Sequence, residues 1–403
     1  MSDPGTAPAD GPIDRPRDEA DEPDEPVEEA AGTGDPGVPL LDLTAQYDAI
    51  RDEVDDAVRR VVESQYFVLG PEVEAFEAEI AELVGVPHGV GVASGTDALL
   101  LPLRALDPEP GDEVIVPAFT FFATAGAVWN AGFRPVFCDV DPENFNVTRE
   151  TVEAAWTERT RAVIPVHLFG QMAPVEEIVA LARERGAFVL EDAAQAIGAA
   201  REIDGEWRQA GSVGDAGAFS FFPTKNLGSF GEGGMVTTAD AGLGEKVAKL
   251  RVHGGRQMYH HEMVGTNSRL DALQAAVILA KLPHLDGWND ERRENAARYD
   301  ALLDGQEDVV RPRTLDHNRH VFNQYTIRVP DRDRVRERMG DAGIGTGVYY
   351  PVPLHLQACF AELGYSAGDL RESERAASEV LSLPIFPELA EEQQRFVIDT
   401  LTE

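Results

Sequence analysis

Lysine is nearly absent from this chain of 403 residues. Arginine supplies 31 of the 35 basic residues, and lysine occurs only at positions 225, 246, 249 and 281. The two cysteines, Cys138 and Cys359, stand far apart and provide neither a metal-binding spacing nor a disulfide framework. No uninterrupted apolar run approaches the ~20 residues of a membrane span, and the first residues lack a basic-then-apolar signal segment. We therefore expect a cytoplasmic protein without a membrane partner.

Positive charge is scarce relative to negative charge. The net charge is −37, and residues 1–37 contribute −10 of it through 12 acidic residues and 2 arginines. The remaining 366 residues still hold −27, which suits a protein kept soluble in concentrated salt, where screening removes self-repulsion. We expect a halophilic source. Such a field repels nucleic acid, so nucleic acid is not an expected partner.

The composition along the chain predicts three parts. Residues 1–37 are proline, glycine, alanine and acid with almost no large apolar side chains, which predicts a disordered acidic tail. Residues 38–265 begin with two helices, the second from Pro71 to about Val84, and continue as a large α/β domain. Residues 266–403 predict a long linking helix, about Leu270 to Leu303, and a small α+β domain.

Short apolar runs alternate with helical segments over residues 88–240. The predicted strands are GVGVAS, DEVIVP, RPVFCDV, RAVIPV, AFVLED, AGAFSF and GGMVTT. The predicted helices between them are Asp97–Leu106, Thr120–Asn130, Val175–Arg185 and Ala241–Arg251. Strands buried on both faces and separated by helices indicate a mostly parallel, doubly wound sheet. Ligands of such sheets bind beyond the carboxyl ends of the strands.

Two strand ends carry groups suited to a phosphorylated, flat ligand. In VASGTDALL, Ser94, Gly95 and Thr96 lie between a strand and a helix N-terminus, which together form a cup for an anion. In PAFTFFATA, Phe121 follows a strand and can lie against a flat heterocycle. The alternatives are ordinary: a helix N-cap for the first segment, and core packing for the second.

Two further strand ends supply an acid and an amine. In FVLEDAAQAIGA, a strand ends at Asp192, and Gln195 follows one helical turn later. In AGAFSFFPTKNLGSFGEGGMV, Ser220 can donate to a phosphate, and Lys225 interrupts an aromatic run. Partial desolvation of an amine among aromatic rings lowers its pKa and favours attack on a carbonyl, as a Schiff-base lysine requires. The alternatives are a helix cap at Asp192 and a snorkelling surface lysine.

The four segments in this order match the needs of pyridoxal 5′-phosphate. That cofactor requires an amine for its aldehyde, a carboxylate facing its pyridine nitrogen, an aromatic ring against its face and donors for its phosphate. Each alternative is reasonable for one segment, but their joint occurrence at strand ends favours the cofactor. We predict Lys225, Asp192 and Gln195 as the catalytic residues and expect no metal ion.

The segments SGTDALLL, PAFTFFATA, EDAAQAIGA and FSFFPTKNLGSFGEGG resemble the DegT/DnrJ/EryC1/StrS family of sugar aminotransferases, over about residues 38–400. The resemblance implies pyridoxal-phosphate fold type I and a homodimer with its sites at the interface. It also implies amino transfer from glutamate to a nucleotide-linked keto-sugar. The segments NSRLDALQAA and HHEMVG slightly favour amination at C3 over C4.

The resemblance also assigns roles to individual residues. Lys225 would be the Schiff-base lysine, Asp192 would face the pyridine nitrogen, and Gln195 would lie near the phenolic oxygen. Phe121 would stack on the ring. The phosphate would be held by Gly95, Thr96, Ser220 and, from the partner subunit, the residue equivalent to Asn267 or Arg269. The substrate would lie near Gly70, Tyr350 and His355.

Two other functions stay open within the same family. Family dehydratases carry histidine in place of the Schiff-base lysine, so Lys225 argues for amino transfer rather than for loss of water. A non-catalytic regulatory member would be expected to have lost Lys225 or Asp192, and both are present.

Overall fold

A computed structural model describes residues 37–257 and 259–403. The tail predicted for residues 1–37 lies outside the described residues, apart from Gly37. Helix α1 spans Leu43–Ser64, and the carboxylate of Asp42 caps it by accepting from the backbone N–H groups of the second and third residues that follow, each at 3.0 Å. Helix α2 spans Pro71–Val84, as predicted, because a proline at the first helical position loses no internal hydrogen bond.

A seven-stranded sheet forms the centre of the molecule. Its order is β1-β9-β8-β5-β4-β2-β3, and β9 runs antiparallel to its two neighbours while the other pairings are parallel. The ends of β1, β2, β5 and β8 therefore meet at one edge. The strands are β1 (His88–Val92), β2 (Glu113–Pro117), β3 (Arg134–Cys138), β4 (Thr160–Val163), β5 (Phe188–Asp192), β8 (Ala216–Ser220) and β9 (Gly234–Thr238).

Helices cover both faces of this sheet. They are α3 (Gly95–Ala105), α4 (Phe122–Ala131), α5 (Arg149–Ala154), α6 (Val175–Arg185) and α7 (Ala241–Leu250), and the four predicted ones are confirmed to within two residues at each end. Successive strand residues point to opposite faces. Accordingly Val189 and Phe219 join one apolar core, whereas Leu190 and Ala218 join the other. This explains the continuous apolar runs and confirms the mostly parallel α/β architecture.

A small three-stranded sheet was not predicted. Strands β6 (Ala200–Ile203) and β7 (Glu206–Gln209) form a hairpin, and β10 (Asn318–Arg319) pairs with β6. The hairpin sequence REIDGEWRQ is polar and largely exposed, so it lacks the apolar run that marked the central strands. Its turn contains Asp204 and Gly205, both with positive φ.

The helix predicted from Leu270 to Leu303 is two helices. Helix α8 spans Ala272–Lys281, a single 3-10 turn covers Leu282–His284, and α9 spans Leu285–Leu302. Pro283 lies in that turn and has no N–H to donate, which explains the break in the α-helical hydrogen bonds.

The last part of the chain forms the smaller α+β unit. Strands β11 (Tyr325–Arg328) and β12 (Val380–Leu383) pair antiparallel, accompanied by helices α10 (Arg332–Asp341), α11 (Arg371–Glu379) and α12 (Glu391–Thr402). Val38 forms a bridge with Ile344 and joins this core, so the first described residues pack against the last part of the chain. Within residues 37–257 and 259–403, every helix is too short or too polar to span a lipid bilayer.

Candidate active site

The N-terminus of α3 and the end of β8 form a narrow cradle. The Ser94 hydroxyl caps α3 by accepting from the Asp97 N–H at 3.2 Å. A Cβ atom added at Gly95 would lie 2.6 Å from the Cβ of Ser220, so only glycine allows the two segments to approach this closely. The helix N-terminus presents backbone N–H groups, the Ser220 hydroxyl lies beside Gly95, and Thr96 is the next residue of the helix. This arrangement fits a phosphate group.

Asp192 ends β5 with its side chain buried and only 5% of the residue exposed. Its Oδ2 accepts from the Thr124 hydroxyl at 2.8 Å, and its Oδ1 accepts from the Ala194 N–H at 3.2 Å. Burial raises the pKa of Asp192, while the Thr124 and Ala194 hydrogen bonds and the charge of Lys225 act in the opposite direction. A buried carboxylate of this kind suits a cationic partner such as a protonated pyridine nitrogen.

Gln195 and Tyr350 meet beside this carboxylate. The Gln195 amide nitrogen donates to the Tyr350 hydroxyl at 3.4 Å, and its Oε1 accepts from the Phe169 N–H at 2.8 Å. Burial, and next the charge of Asp192, raise the pKa of Tyr350, so its hydroxyl stays protonated. The structure thus brings Tyr350 to Asp192 and Gln195, two residues of one segment that lies more than 150 positions earlier in the chain.

Phe121 precedes α4 and is 58% exposed, which is unusual for a large apolar side chain next to a buried strand. Its ring centroid lies 6.0 Å from that of Tyr350. The core-packing alternative for Phe121 therefore does not describe its position. An exposed ring beside a buried acid is suited to cover a flat ligand.

Lys225 lies in the loop that follows β8, and its side chain is half-buried. Its backbone N–H donates to the Phe222 carbonyl at 2.9 Å. The charge of Lys225 opposes the effect of burial on the pKa of Asp192. Strand β5, which ends at Asp192, and strand β8, which leads to the loop of Lys225, are parallel neighbours in the sheet. The amine, the acid and the anion cradle therefore lie at the same edge of the sheet.

Four residues predicted for the site make their described contacts with residues other than Lys225, Asp192, Gln195 and Tyr350. Asn267 and Arg269 form single bridges with Val252 and Val92, so their segment runs beside the strand that leads to the cradle. Gly70 caps α2 with a φ of +84°. His355 is buried, and its Nε2 lies 3.1 Å from Oε1 of Glu374 rather than on a site residue.

Sequence reasoning assigned no role to Thr124 or to the buried pair of Glu191 and His167. The Ala173 N–H donates to His167 Nδ1 at 3.2 Å, so the ring proton lies on Nε2, which donates to Glu191 Oε2 at 2.7 Å. Thr124 lies in the first turn of α4, three residues after Phe121, and that position next to a predicted site residue was the available signal for it. For the pair, the signal was a second acid directly before Asp192.

Glu191 holds the end of strand β5, next to Asp192, in place through hydrogen bonds. It also accepts from the backbone N–H groups of Gly211, Val213 and Gly214 at 2.9, 2.7 and 2.7 Å. Burial acts to raise the pKa of Glu191, but the hydrogen bonds from His167 and the backbone outweigh it and hold the pKa below its ordinary value. The strand end at Asp192 is therefore held by a charged, fully hydrogen-bonded neighbour.

The strand order of the sheet and the groups at its edge are those of pyridoxal-phosphate enzymes of fold type I, the class to which similar solved structures belong. Residues 48–402 match the model of the DegT/DnrJ/EryC1/StrS aminotransferase family. The chain belongs to this family and is a pyridoxal-phosphate-dependent aminotransferase. The family resemblance, the fold class and the cofactor predicted from the sequence are confirmed.

The names of similar proteins describe different functions. A pleiotropic regulatory protein of Geobacillus stearothermophilus is 50% identical, covering 91% of this chain and 98% of its own length. A UDP-N-acetyl-3-dehydro-alpha-D-glucosamine 3-aminotransferase of Acidithiobacillus ferrooxidans is 49% identical, covering 90% and 96%. The crystal structure of Streptomyces venezuelae DesV in complex with a ketimine intermediate has a TM-score of 0.87 at 45% identity, covering 91% and 97%.

Proposed function

We propose that this enzyme transfers an amino group from glutamate to C3 of a nucleotide-linked keto-sugar, for the synthesis of an amino sugar of a polysaccharide or glycan. The observation that carries the proposal is that Asp192 with Gln195, and the loop of Lys225, follow the neighbouring parallel strands β5 and β8 at one edge of the sheet. The name of the Acidithiobacillus relative supports the sugar nucleotide and the C3 position.

The residues present fit pyridoxal phosphate. The close approach of Gly95 to Ser220 leaves a cradle lined by N–H groups and hydroxyls for the phosphate, and the buried Asp192 carboxylate lies where a cationic ring nitrogen would be stabilised. Lys225 would hold the aldehyde through its amine. When bound, the cofactor supplies an electron sink that stabilises negative charge on the substrate carbon.

The side chains around that group would orient it and move protons. Asp192 would accept a hydrogen bond from the ring nitrogen, and its hydrogen bond from Thr124 keeps the carboxylate pointed in one direction. Gln195 and Phe121 would fix the plane of the ring by a hydrogen bond and by stacking. Lys225, once replaced by the substrate amine, would be the base that carries the proton between substrate atoms.

The reaction would proceed in two halves at one site. Glutamate gives up its amino group in the first half and leaves as a 2-oxo acid, and the keto-sugar receives that group in the second, so ping-pong kinetics are expected. The segment of Asn267 and Arg269 lies beside the strand that leads to the phosphate cradle. We propose that this segment completes the partner's site in a homodimer.

Borohydride reduction tests the proposal directly. We expect the purified protein to absorb near the visible edge, to lose that band on adding glutamate, and to carry the reduced cofactor on the peptide containing Lys225. The Lys225→Ala variant is the control and should remain unlabelled. A wild-type protein that stays colourless and unlabelled with added pyridoxal phosphate would contradict the proposal.

The substrate requires a separate assay. The amino form of the enzyme, prepared with glutamate, would be tested against UDP-, dTDP- and GDP-linked sugars with a keto group at C3 or C4. Faster consumption of a 3-keto sugar is expected. Preference for a 4-keto sugar would overturn the C3 assignment, and loss of water without amino-sugar formation would indicate a dehydratase.

A regulatory role without catalysis is the alternative that the Geobacillus name favours. Lys225 and Asp192 argue against it because both remain in a hydrogen-bonded, partly buried site. Complementation distinguishes the two: the Lys225→Ala variant should fail to support amino-sugar synthesis in cells, whereas an unchanged phenotype would favour the regulatory role.

A further inference from the structure

Lys281 ends helix α8 with its amine inside the protein and only 3% of the residue exposed. Two of the other lysines, Lys246 and Lys249, form ion pairs with Asp107 and with Glu262 near the surface. Lys281 instead lies where burial lowers its pKa to about 8. Burying an ammonium group is costly unless its hydrogen bonds are met. A chain that uses arginine for most of its positive charge therefore keeps a lysine in an unfavourable environment.

The contacts of Lys281 lie on the loop that follows Lys225. Its Nζ donates to the Gly228 carbonyl at 2.8 Å and lies 4.9 Å from the ring centroid of Phe230. From the same helix, Oε1 of Gln274 accepts from the Phe230 N–H at 2.9 Å. Residues 226–231 form the loop that follows Lys225. Two side chains of helix α8 therefore hydrogen-bond the backbone of this loop, at the Gly228 carbonyl and at the Phe230 N–H.

That loop folds back on the residues before Lys225. The Ser229 N–H donates to the Phe221 carbonyl at 2.8 Å. A Cβ atom added at Gly228 would lie 2.3 Å from the Pro223 carbonyl oxygen, so the two sides of the loop are in direct contact. Lys225 lies between these two sides, and a movement of Gly228 would be passed to it through the backbone.

We propose that Lys281 is a positioning residue for Lys225: by holding the Gly228 carbonyl, with Gln274 as a second contact, it fixes the loop that aims the amine at the cofactor aldehyde. This inference rests on the proposed function, in which Lys225 is the cofactor-binding lysine. Lys281 itself does not touch the reacting atoms. Its charge matters because a charge-assisted hydrogen bond holds a carbonyl more firmly than a neutral one.

The test replaces Lys281 by methionine, which keeps the length of the side chain and removes its charge and donors. Lys246→Met is the matched control, because Lys246 also donates to a backbone carbonyl, that of Ala105 at 2.7 Å, but away from the loop. The apo-proteins are titrated with pyridoxal phosphate, labelled with borohydride and melted. Loss of one charge-assisted hydrogen bond should weaken cofactor affinity about tenfold in Lys281→Met and slow labelling of Lys225.

The melting temperature of the Lys281→Met variant should not fall together with its affinity for pyridoxal phosphate. Methionine removes the cost of burying an ammonium group, so the apo-variant should melt within a few degrees of the wild type. A lower melting temperature with unchanged cofactor affinity would mean a merely structural role and would overturn the proposal. Unchanged affinity, labelling and melting would also overturn it.

Two further comparisons keep the outcome clear. If Lys281→Met does not fold, Gln274→Met loosens the same loop without changing a buried charge, and should weaken cofactor affinity about threefold because a neutral hydrogen bond is lost. Unchanged affinity in that variant would overturn the proposal. Absence of label at Lys225 in the wild type would overturn the proposed function, whereas a labelled wild type with equally labelled variants would overturn only this inference.

Discussion

Removing the Thr124 hydroxyl should change the pH range in which the cofactor binds. In the wild type this hydroxyl donates to Asp192 at 2.8 Å, and it is the largest influence that opposes the effect of burial on the pKa of Asp192. Thr124→Val keeps the shape of the side chain and removes the donor. Because Thr124 is fully buried, water cannot easily replace that donor.

The size of the effect follows from this one contact. A hydrogen bond to a charged group is worth about 1.5–3 kcal/mol, and one pKa unit corresponds to about 1.36 kcal/mol. The pKa of Asp192, already raised by burial, should therefore rise by about one to two further units in Thr124→Val. The carboxyl then takes up its proton at a higher pH. Binding that requires the carboxylate is lost as the pH falls through this pKa, so the variant loses it earlier.

The assay is equilibrium binding of pyridoxal phosphate to apo-protein from pH 5 to 8.5, with Thr124→Ser as the control that keeps the hydroxyl. Lys225 is present in all three proteins, so the three differ only at residue 124. We expect the acidic midpoint of binding to move up by at least one unit in Thr124→Val and to stay in place in Thr124→Ser. Equal midpoints in all three proteins would refute the reasoning.

Three further outcomes follow. Gly95→Ala places a Cβ atom 2.6 Å from Ser220 and should weaken cofactor binding at least tenfold by closing the phosphate cradle, whereas binding like that of the wild type would show that the cradle opens easily. Glu191→Gln should lower the free energy of unfolding at pH 7 by about 3 kcal/mol, since an amide cannot accept all the bonds the carboxylate accepts. The pKa of Glu191 is lowered in the folded state, so the stability it adds is fully present above about pH 4.5 and is lost as the pH falls from there through the lower folded-state pKa. Urea unfolding at pH 7 and at pH 3 should show the deficit shrinking. Finally, the net charge of −37 predicts that the melting temperature decreases when the salt concentration is lowered below roughly 1 M. A melting temperature that does not depend on salt would contradict this.

The local elements were largely predictable. Pro71 and the glycine after Val84 set the limits of α2, because proline favours a first turn and Gly85 takes the left-handed conformation that ends it. The central strands were marked by apolar runs, since both of their faces are covered by helices. The hairpin of β6 and β7 was not marked, because an exposed strand needs no apolar run.

The candidate site was predictable as a set of strand ends. Parallel strands bring their carboxyl ends to one edge, so the strand pattern alone predicts that SGTD, Phe121, Asp192 and Lys225 lie together. The hydrogen-bond partners of these residues could not be predicted in the same way. Thr124, which bonds Asp192, and Tyr350, which bonds Gln195, lie 68 and 155 residues away along the chain from the groups they contact.

The sequence by itself determined the class of chemistry, because that depends on residue types at strand ends, and those strand ends are set by short-range patterns. Only the tertiary structure decided which hydrogen bonds hold these groups. Thr124 donates to Asp192, and His167 donates to Glu191 in a buried pair. His355 lies against Glu374, and Lys281 donates to the Gly228 carbonyl in the loop after Lys225. These contacts join segments far apart in the chain, and nothing in the local spacing of either partner specifies the other. Their formation depends on how the helices pack across the sheet.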